Sequence, residues 1–238
     1  MPLIIRPGYT IFFAHVPKTG GSSVENYLVS RFGEMLLSGK GYIDTKSQRV
    51  MLSPPQHLAA ADLRDFLPDK IDFSFALVRD PLRRLISEFQ FQSGHSRTSH
   101  LSFSTWLRIV LRAARIEPRL YDNHIRPQVD LIPAGGKTFR LEDGFDTLIT
   151  HLDRVTGENR PDLKVGHLLK SKTKASIRYS RQDIRLVSEF YAADYARLGY
   201  APPESTELPD DPFAALRSLI AIPIAHALVM RQRLGWLR

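Results

Sequence analysis

The sequence contains no cysteine among its 238 residues. This absence excludes a disulfide framework, a cysteine-ligated zinc site and a catalytic thiol. It also suits a reducing compartment, so a cytoplasmic protein is expected.

Long apolar runs are missing too. The first residues, 1–8, lack a basic stretch followed by an apolar segment, so no secretory signal is predicted. No stretch of about 18 apolar residues occurs, and no transmembrane helix is therefore expected. With 43% hydrophobic residues and no low-complexity tract, the chain is predicted to fold around a sizeable core.

The net charge of +8 is concentrated in one part of the sequence. Residues 154–185 hold nine lysines and arginines against three acidic residues. Such a patch indicates an anionic ligand or, as an alternative, a solvated basic surface loop. Because aromatic residues are sparse there and no nucleic-acid-binding module accompanies it, no nucleic-acid partner is expected. Within the patch, the lysine-rich run 170–174 is predicted to be a loop that orders over a bound ligand.

Apolar strands alternate with amphipathic helices along the chain. Strands are predicted at 10–16 and 73–78, with weaker ones at 129–132 and 138–141. Helices are predicted after the first two strands and at 105–116, 145–155, 181–198 and 213–237. This order predicts an α/β fold, a parallel sheet flanked by helices on both faces. We expect one α/β domain over 1–200, a linker at 201–211 and a tail at 212–238.

The turn between the first strand and its helix, Pro17-Lys18-Thr19-Gly20-Gly21-Ser22-Ser23, has the composition of an anion site. Unpaired amides and the positive end of the helix dipole meet at such a turn. Lys18 adds a charge, and the threonine and serines add hydroxyl donors. Ser22 followed by Glu25 fits a capping box that would fix the start of the helix. The turn is not a Walker A loop, because its lysine precedes the glycines.

A second anion contact is predicted where the second strand ends. Arg79 closes that strand, Asp80 is a candidate cap and Pro81 suits the first helical position. Ser87 lies on the helix face opposite the apolar stripe, so Arg79 and Ser87 together are candidates to hold an anion. The alternative is that Arg79 pairs with an acidic neighbour and Ser87 is merely exposed.

These two segments, 15–23 and 78–89, together resemble the 5′-phosphosulfate loop and the 3′-phosphate motif of the sulfotransferase superfamily. Two softer stretches, 124–128 and 191–200, are also similar to it. The carbohydrate branch, with heparan sulfate 2-O- and chondroitin sulfotransferases, is the nearest in appearance. The resemblance implies a P-loop-like fold, 3′-phosphoadenosine 5′-phosphosulfate (PAPS) as cosubstrate, the desulfated product PAP, a carbohydrate acceptor and no metal. It further suggests a bacterial, cytosolic enzyme.

The resemblance also implies roles for individual residues. Lys18 would neutralise the charge that develops on the bridging oxygen. Arg79 and Ser87 would hold the 3′-phosphate. The 5′-phosphate would be held by the amides and hydroxyls of the first loop: Thr19, Gly20, Gly21, Ser22 and Ser23.

A histidine base for the acceptor hydroxyl is also implied by the resemblance, between the two cosubstrate motifs. His57 occupies that interval, and the alternatives are His124, an acidic residue or no base. His57 can also be read as a helix-start residue. His15 ends a buried strand and is expected to be structural.

Other functions remain open at the level of sequence. A P-loop-like nucleotide kinase is disfavoured because neither a Walker A lysine nor an obvious magnesium carboxylate occurs. A homologue that binds a nucleotide or glycan without activity is the other alternative. The acceptor, the position sulfated and the oligomeric state are not fixed by the sequence.

The C-terminal tail combines an apolar run of about 13 residues, interrupted by Pro223 and His226, with terminal arginines and Trp236. The run is predicted to be too short to span a bilayer. Three interpretations remain, namely packing on its own domain, a homo-oligomer contact and a peripheral contact with an anionic membrane.

Overall fold

A mixed sheet of four strands organises the part of the chain that the structure describes. The computed structural model describes residues 1–37, 55–63, 67–95, 100–166 and 177–234. The strands within these ranges lie in the order β1-β2-β3-β4. They are β1 (Leu3–Arg6), β2 (Tyr9–Ala14), β3 (Phe73–Val78) and β4 (Lys137–Arg140).

The sheet is parallel only in part, which corrects the expectation of a wholly parallel, P-loop-like sheet. Strands β2, β3 and β4 run parallel, whereas β1 pairs antiparallel with β2 through Ile4 opposite Ile11. A two-residue turn containing Gly8, with φ +95°, joins β1 to β2. Only antiparallel strands can be joined by so short a turn. The weak strand expected at 129–132 is wrong, since a 3₁₀ turn (Gln128–Leu131) occupies that place.

The helices agree in most places with the predicted pattern. They are α1 (Gly21–Phe32), α2 (Pro81–His95), α3 (Phe103–Ile116), α4 (Leu120–Asn123), α5 (Asp146–Thr156), α6 (Arg181–Phe190), α7 (Ala192–Leu198) and α8 (Ala214–Arg233). The helix predicted over 181–198 is two helices, because the backbone leaves helical geometry at Tyr191, with φ −103° and ψ 24°. Short 3₁₀ turns occur at Pro55–His57 and Ala60–Leu63.

The chain divides into two compact units. The first comprises Met1–Arg79 and Asp130–Lys170, and the second comprises Asp80–Val129 and Ser171–Arg238. In the first unit, α1 and α5 pack on one face of the sheet around Phe13 and Phe75. Leu58 and Leu63 at the 3₁₀ turns pack against the other face. Within this unit the sheet therefore has helices on one face and short turns on the other.

The second unit is helical and has its own core, centred on Trp106 and Tyr191. A buried ion pair joins α3 to α6, with 2.6 Å between Arg108 Nη1 and Asp183 Oδ1. Asp183 also completes a capping box with Ser180 at the start of α6. These bonds satisfy a buried charge that would otherwise be costly to desolvate.

Helix α8 lies within the helix predicted over 213–237. It continues through Pro223 for 20 residues, and by length and composition it is apolar enough to cross a membrane. This length contradicts the prediction that the apolar run is too short to span a bilayer, whereas the expectation of no transmembrane helix stays a prediction. The mean hydropathy of the helix stays high although a proline and a histidine interrupt the apolar run.

Candidate active site

The turn between β2 and α1 brings a lysine and two glycines to the start of a helix. Lys18 has φ +67° and Gly20 has φ +86°, so the chain reverses through two left-handed residues before α1 begins. Gly20 is the N-cap, and no side chain caps the helix. The amides of Gly21 and Ser22 consequently lack acceptors inside the helix, and the positive end of the helix dipole coincides with them. This geometry is that of an anion site.

Gly21 is required at its position by the ring of His15. A Cβ built on Gly21 would lie 2.1 Å from His15 Nε2 and 2.2 Å from Cδ2. Such distances are not compatible with any side chain at this position. His15 itself is buried at the end of β2 and stacks on Phe13, with ring centroids 5.6 Å apart.

Glu25 does not form the predicted capping box with Ser22, and that prediction is wrong. Its carboxylate instead accepts hydrogen bonds from His15 Nδ1 at 2.8 Å and from Gln56 Nε2 at 2.9 Å. Burial opposes ionisation of Glu25, but the bond and charge of His15, with the bond from Gln56, outweigh it. The pKa of Glu25 is therefore held below its ordinary value. The capping box does not form because the Glu25 carboxylate bonds to side chains from other parts of the sequence.

His57 lies beside this buried pair. Its ring meets the ring of His15 edge-on, with centroids 5.0 Å apart and planes at 88°. The Nδ1 of His57 is buried. One polar cluster at the start of α1 thus contains Glu25, His15 and His57. His15 lies in its middle, because it contacts both of the other residues.

The end of β3 reaches the same turn. Arg79 follows Val78, the last residue of β3, and its Nη1 donates to the Lys18 carbonyl oxygen at 3.4 Å. Lys18, the start of α1, Arg79 and His57 all belong to the first compact unit. The two cationic side chains that were predicted to bind anions, and the histidine predicted as the base, therefore come from neighbouring elements of this unit. Parallel strands β2 and β3 end at the same edge of the sheet, where ligands of α/β proteins bind.

A sequence model of the sulfotransferase family matches residues 1–201, which is most of the chain. The chain belongs to the sulfotransferase family. No curated protein and no solved structure matches it. The match supports sulfotransferase activity in general terms, and it ends before α8.

The hydroxyls of the first loop differ in what they contact in this sulfotransferase. Thr19 is buried, and its Oγ1 donates to the Val16 carbonyl at 2.8 Å. The hydroxyl proton of Thr19 thus stabilises the loop, and its amide is the group left for a ligand. Ser22 is half-buried in the first turn of α1, while Ser23 is buried and its amide donates to the Gly20 carbonyl at 3.0 Å.

Ser87 lies on α2 and is half-buried in the second unit. Asp80 caps this helix as expected, since its Oδ1 accepts from the Arg83 amide at 2.8 Å. Arg84, three residues before Ser87 on α2, is buried and donates to the carbonyls of His124 at 2.9 Å and Arg126 at 3.0 Å. Arg84 therefore has a structural role, and the part of Ser87 in anion binding stays a prediction.

His124, the alternative base, is paired with a carboxylate of its own. Its Nδ1 lies 2.8 Å from Glu88 Oε2, and the carboxylate is buried on α2. Glu88 Oε1 also accepts from Gln92 Nε2 at 2.7 Å. The second unit thus contains a histidine–carboxylate pair like that of His15 and Glu25.

The segment carrying His124 is fixed by buried side chains. Tyr191 donates through its hydroxyl to the Ile125 carbonyl at 2.7 Å, and Asp194 accepts from the amides of Gln128 and Val129 at 2.9 and 3.0 Å. Burial raises the pKa of Asp194 despite the opposing charge of Arg84. Three residues before this segment, 121–123, have φ between +50° and +69°. Such strain persists only where the surroundings determine the backbone.

Neither histidine–carboxylate pair was predicted from the sequence. Glu25 was read as a cap and Glu88 only as part of a motif, because their partners are 10 and 36 residues away along the chain. A carboxylate on the polar side of a helix following a strand that ends in histidine was the available signal. Among the described residues, no group of three or more His, Asp or Glu side chains has the arrangement of a metal site.

Proposed function

We propose that this sulfotransferase takes PAPS as its donor and transfers the sulfuryl group to a hydroxyl of a carbohydrate or glycan acceptor. The observation that carries the proposal is that Arg79 reaches the Lys18 carbonyl in the turn before the uncapped start of α1, while His57 contacts His15 at the end of the preceding strand. Two cationic side chains and a row of amides suit a ligand with several anionic groups.

The residues of the loop fit such a ligand. The helix-start amides, the Lys18 ammonium and the half-buried hydroxyl of Ser22 are the donors that a 5′-phosphosulfate group would need. The glycines at 20 and 21 keep Cβ atoms out of a backbone that must approach an anion closely. Arg79, with Ser87 by the sequence motif, is proposed for the 3′-phosphate.

PAPS supplies an activated sulfuryl group whose bridging S–O bond breaks as the new S–O bond to the acceptor forms. Lys18 neutralises the negative charge that collects on the bridging oxygen in this step. Because that charge is larger in the transition state than in the bound donor, the interaction of Lys18 lowers the barrier. The amides at the start of α1 are fixed by the helix and require no reorganisation.

His57 is proposed as the base that receives the proton of the acceptor hydroxyl, through its Nε2. The edge-on contact with His15 holds the His57 ring, and His15 is held in turn by Glu25. A base positioned in this way accelerates proton transfer without any metal.

The protein is further proposed to be a bacterial, cytoplasmic enzyme with a glycan acceptor and no nucleic-acid partner. The lack of cysteine and the composition of the basic patch support this proposal. The lysine run 170–174 and the residue His167 lie outside the described residues.

A donor-specific binding and transfer experiment tests the proposal. PAP at 100-fold excess over Kd should raise the free energy of unfolding by about 2.7 kcal/mol. The melting temperature should rise accordingly. Adenosine 5′-phosphosulfate, which lacks the 3′-phosphate, should stabilise far less. A panel of glycans incubated with labelled PAPS should show transfer that persists in EDTA. Equal stabilisation by both nucleotides would reject the role of Arg79 and Ser87.

A further inference from the structure

We propose that the outer face of α8 docks on an anionic lipid bilayer, with the helix axis lying along the membrane surface. The outer face is defined here by Leu216, Leu219, Ile220, Pro223, Ala227 and Met230. Helix α8 lies beyond the region matched by the family, so this inference does not depend on the proposed function.

The inner face of α8 belongs to the core of the second unit. Ala221, Ala225 and Val229 are buried, and the two alanines let the helix approach its neighbours closely. These residues recur at the spacing of one helix face. Only the opposite face remains available to another surface.

Polar contacts join the start of α8 to the start of α3, and the end of α8 to the residue that follows α3. In the first turn, Arg217 Nη1 donates to Thr105 Oγ1 at 2.6 Å, and Thr105 is in the first turn of α3. In the last turn, Arg233 Nε lies 3.1 Å from Glu117 Oε2, directly after α3 ends. The two helices therefore run alongside each other in the same direction.

The outer face is apolar along the whole length of the helix. Leu219 is 64% exposed and Met230 is 55% exposed, and Leu216 and Ile220 are also exposed. At 100° per residue these positions lie opposite the buried alanines. A continuous exposed apolar surface of this kind marks an interaction site in a soluble domain.

The charged residues of the tail indicate what kind of partner the outer face binds. Every charged residue from Pro212 to Arg238 is an arginine. On the helical wheel Arg231 and Arg233 flank the outer face on opposite sides, and both are exposed.

An anionic bilayer satisfies both the apolar face and this basic border. Asp211 pairs with Arg217 and Glu117 pairs with Arg233, so the net positive charge of the border comes from Arg231. A second copy of the chain would bring arginines against arginines if the same faces met, which disfavours a symmetric dimer.

Lying on the surface fits α8 better than crossing the membrane. Pro223 has no N–H, so the Leu219 carbonyl loses its usual donor four residues on. In the hydrocarbon core that carbonyl would be costly to leave unsatisfied, whereas water reaches it at the interface. The contacts of Arg217 and Arg233 with Thr105 and Glu117 would also break if the helix left α3.

Vesicle flotation of the full chain tests the proposal. The protein should float with vesicles containing phosphatidylglycerol and much less with vesicles of phosphatidylcholine alone. The double variant L219S/M230S should bind about tenfold or more weakly, because it removes exposed apolar area from the outer face. R231Q should bind about fivefold more weakly at low salt, as expected for one basic residue near an anionic surface.

A matched control is the double variant I5S/V29S, which removes two apolar side chains of similar exposure, 48% and 46%, from other elements. It should float like the wild type. Circular dichroism and melting temperatures would confirm that each variant is folded. Failure of the wild type to float, or undiminished flotation of L219S/M230S, would overturn the proposal. A concentration-dependent dimer that L219S/M230S abolishes would replace the bilayer with a second copy.

Discussion

Replacing Gly21 by alanine should disrupt the start of α1 through one steric conflict. The added Cβ would lie 2.1 Å from His15 Nε2, about 1.3 Å short of ordinary contact. The ring of His15 cannot move away freely, because its Nδ1 is bonded to Glu25 and its face stacks on Phe13. Either the helix start or the His15–Glu25 bond must give way.

The cost follows from these two terms. Overpacking of a buried site costs about 1–3 kcal/mol. Loss of a buried hydrogen bond to a charged group costs about 1.5–3 kcal/mol. A shift of the His15 ring would relieve the overpacking but break the hydrogen bond to Glu25, and a ring that keeps the bond keeps the overpacking. We therefore expect a total cost of about 3 kcal/mol, which lowers the melting temperature of a chain of this size by about 6–12 °C.

Thermal unfolding of G21A measures this effect, and G94A is its matched control. Gly94 is also helical, but a Cβ there would meet nothing within 4 Å. G94A should melt at or above the wild-type temperature, since alanine is the better helix former. The double variant H15A/G21A should be little worse than H15A alone, because the obstacle is gone. Equal melting of G21A and wild type, or full additivity in this cycle, would refute the reasoning.

Three further variants test the chemistry of the site. Lys18→Ala should lower kcat far more than it weakens PAP binding, which turnover assays and calorimetry compare, and an unchanged kcat with a raised KM would make the lysine a simple anchor. His57→Ala should keep PAP binding and lose transfer by about 10²–10⁴-fold, and near-normal turnover would move the base to His124. Glu25→Gln should destabilise the fold by about 2 kcal/mol at neutral pH. Because the folded-state pKa of Glu25 is lowered, its contribution is lost as pH falls through that pKa, so urea unfolding should show wild type and variant converging in acid. A constant difference down to pH 3 would exclude this linkage.

Local pattern was sufficient where an element is determined by its own residues. Strand β3 has the bounds predicted from its apolar run, and Asp80 caps α2 as expected. The helix at 181–198 was predicted as continuous because its apolar spacing continues. The break falls at Tyr191, whose hydroxyl donates to the distant Ile125 carbonyl.

The places of the candidate site residues in the fold were predictable, and their contacts were less so. Lys18, the glycines and Arg79 were found from their place at strand ends, and Arg79 does meet the Lys18 carbonyl. The capping box failed because Glu25 has stronger partners in His15 and Gln56, one of which arrives from a separate turn. No periodicity in the sequence signals a bond of that kind.

The anchoring of residues 124–129 has a consequence for how this protein can diversify. The backbone there is held by Arg84, Tyr191 and Asp194, through bonds to the carbonyls of residues 124–126 and the amides of Gln128 and Val129. The shape of the segment is therefore encoded on α2, on α7 and at the residue between α6 and α7. The side chains at positions 124 and 126 can be exchanged without removing any of those bonds, so new chemistry can be tried on a frame that stays the same.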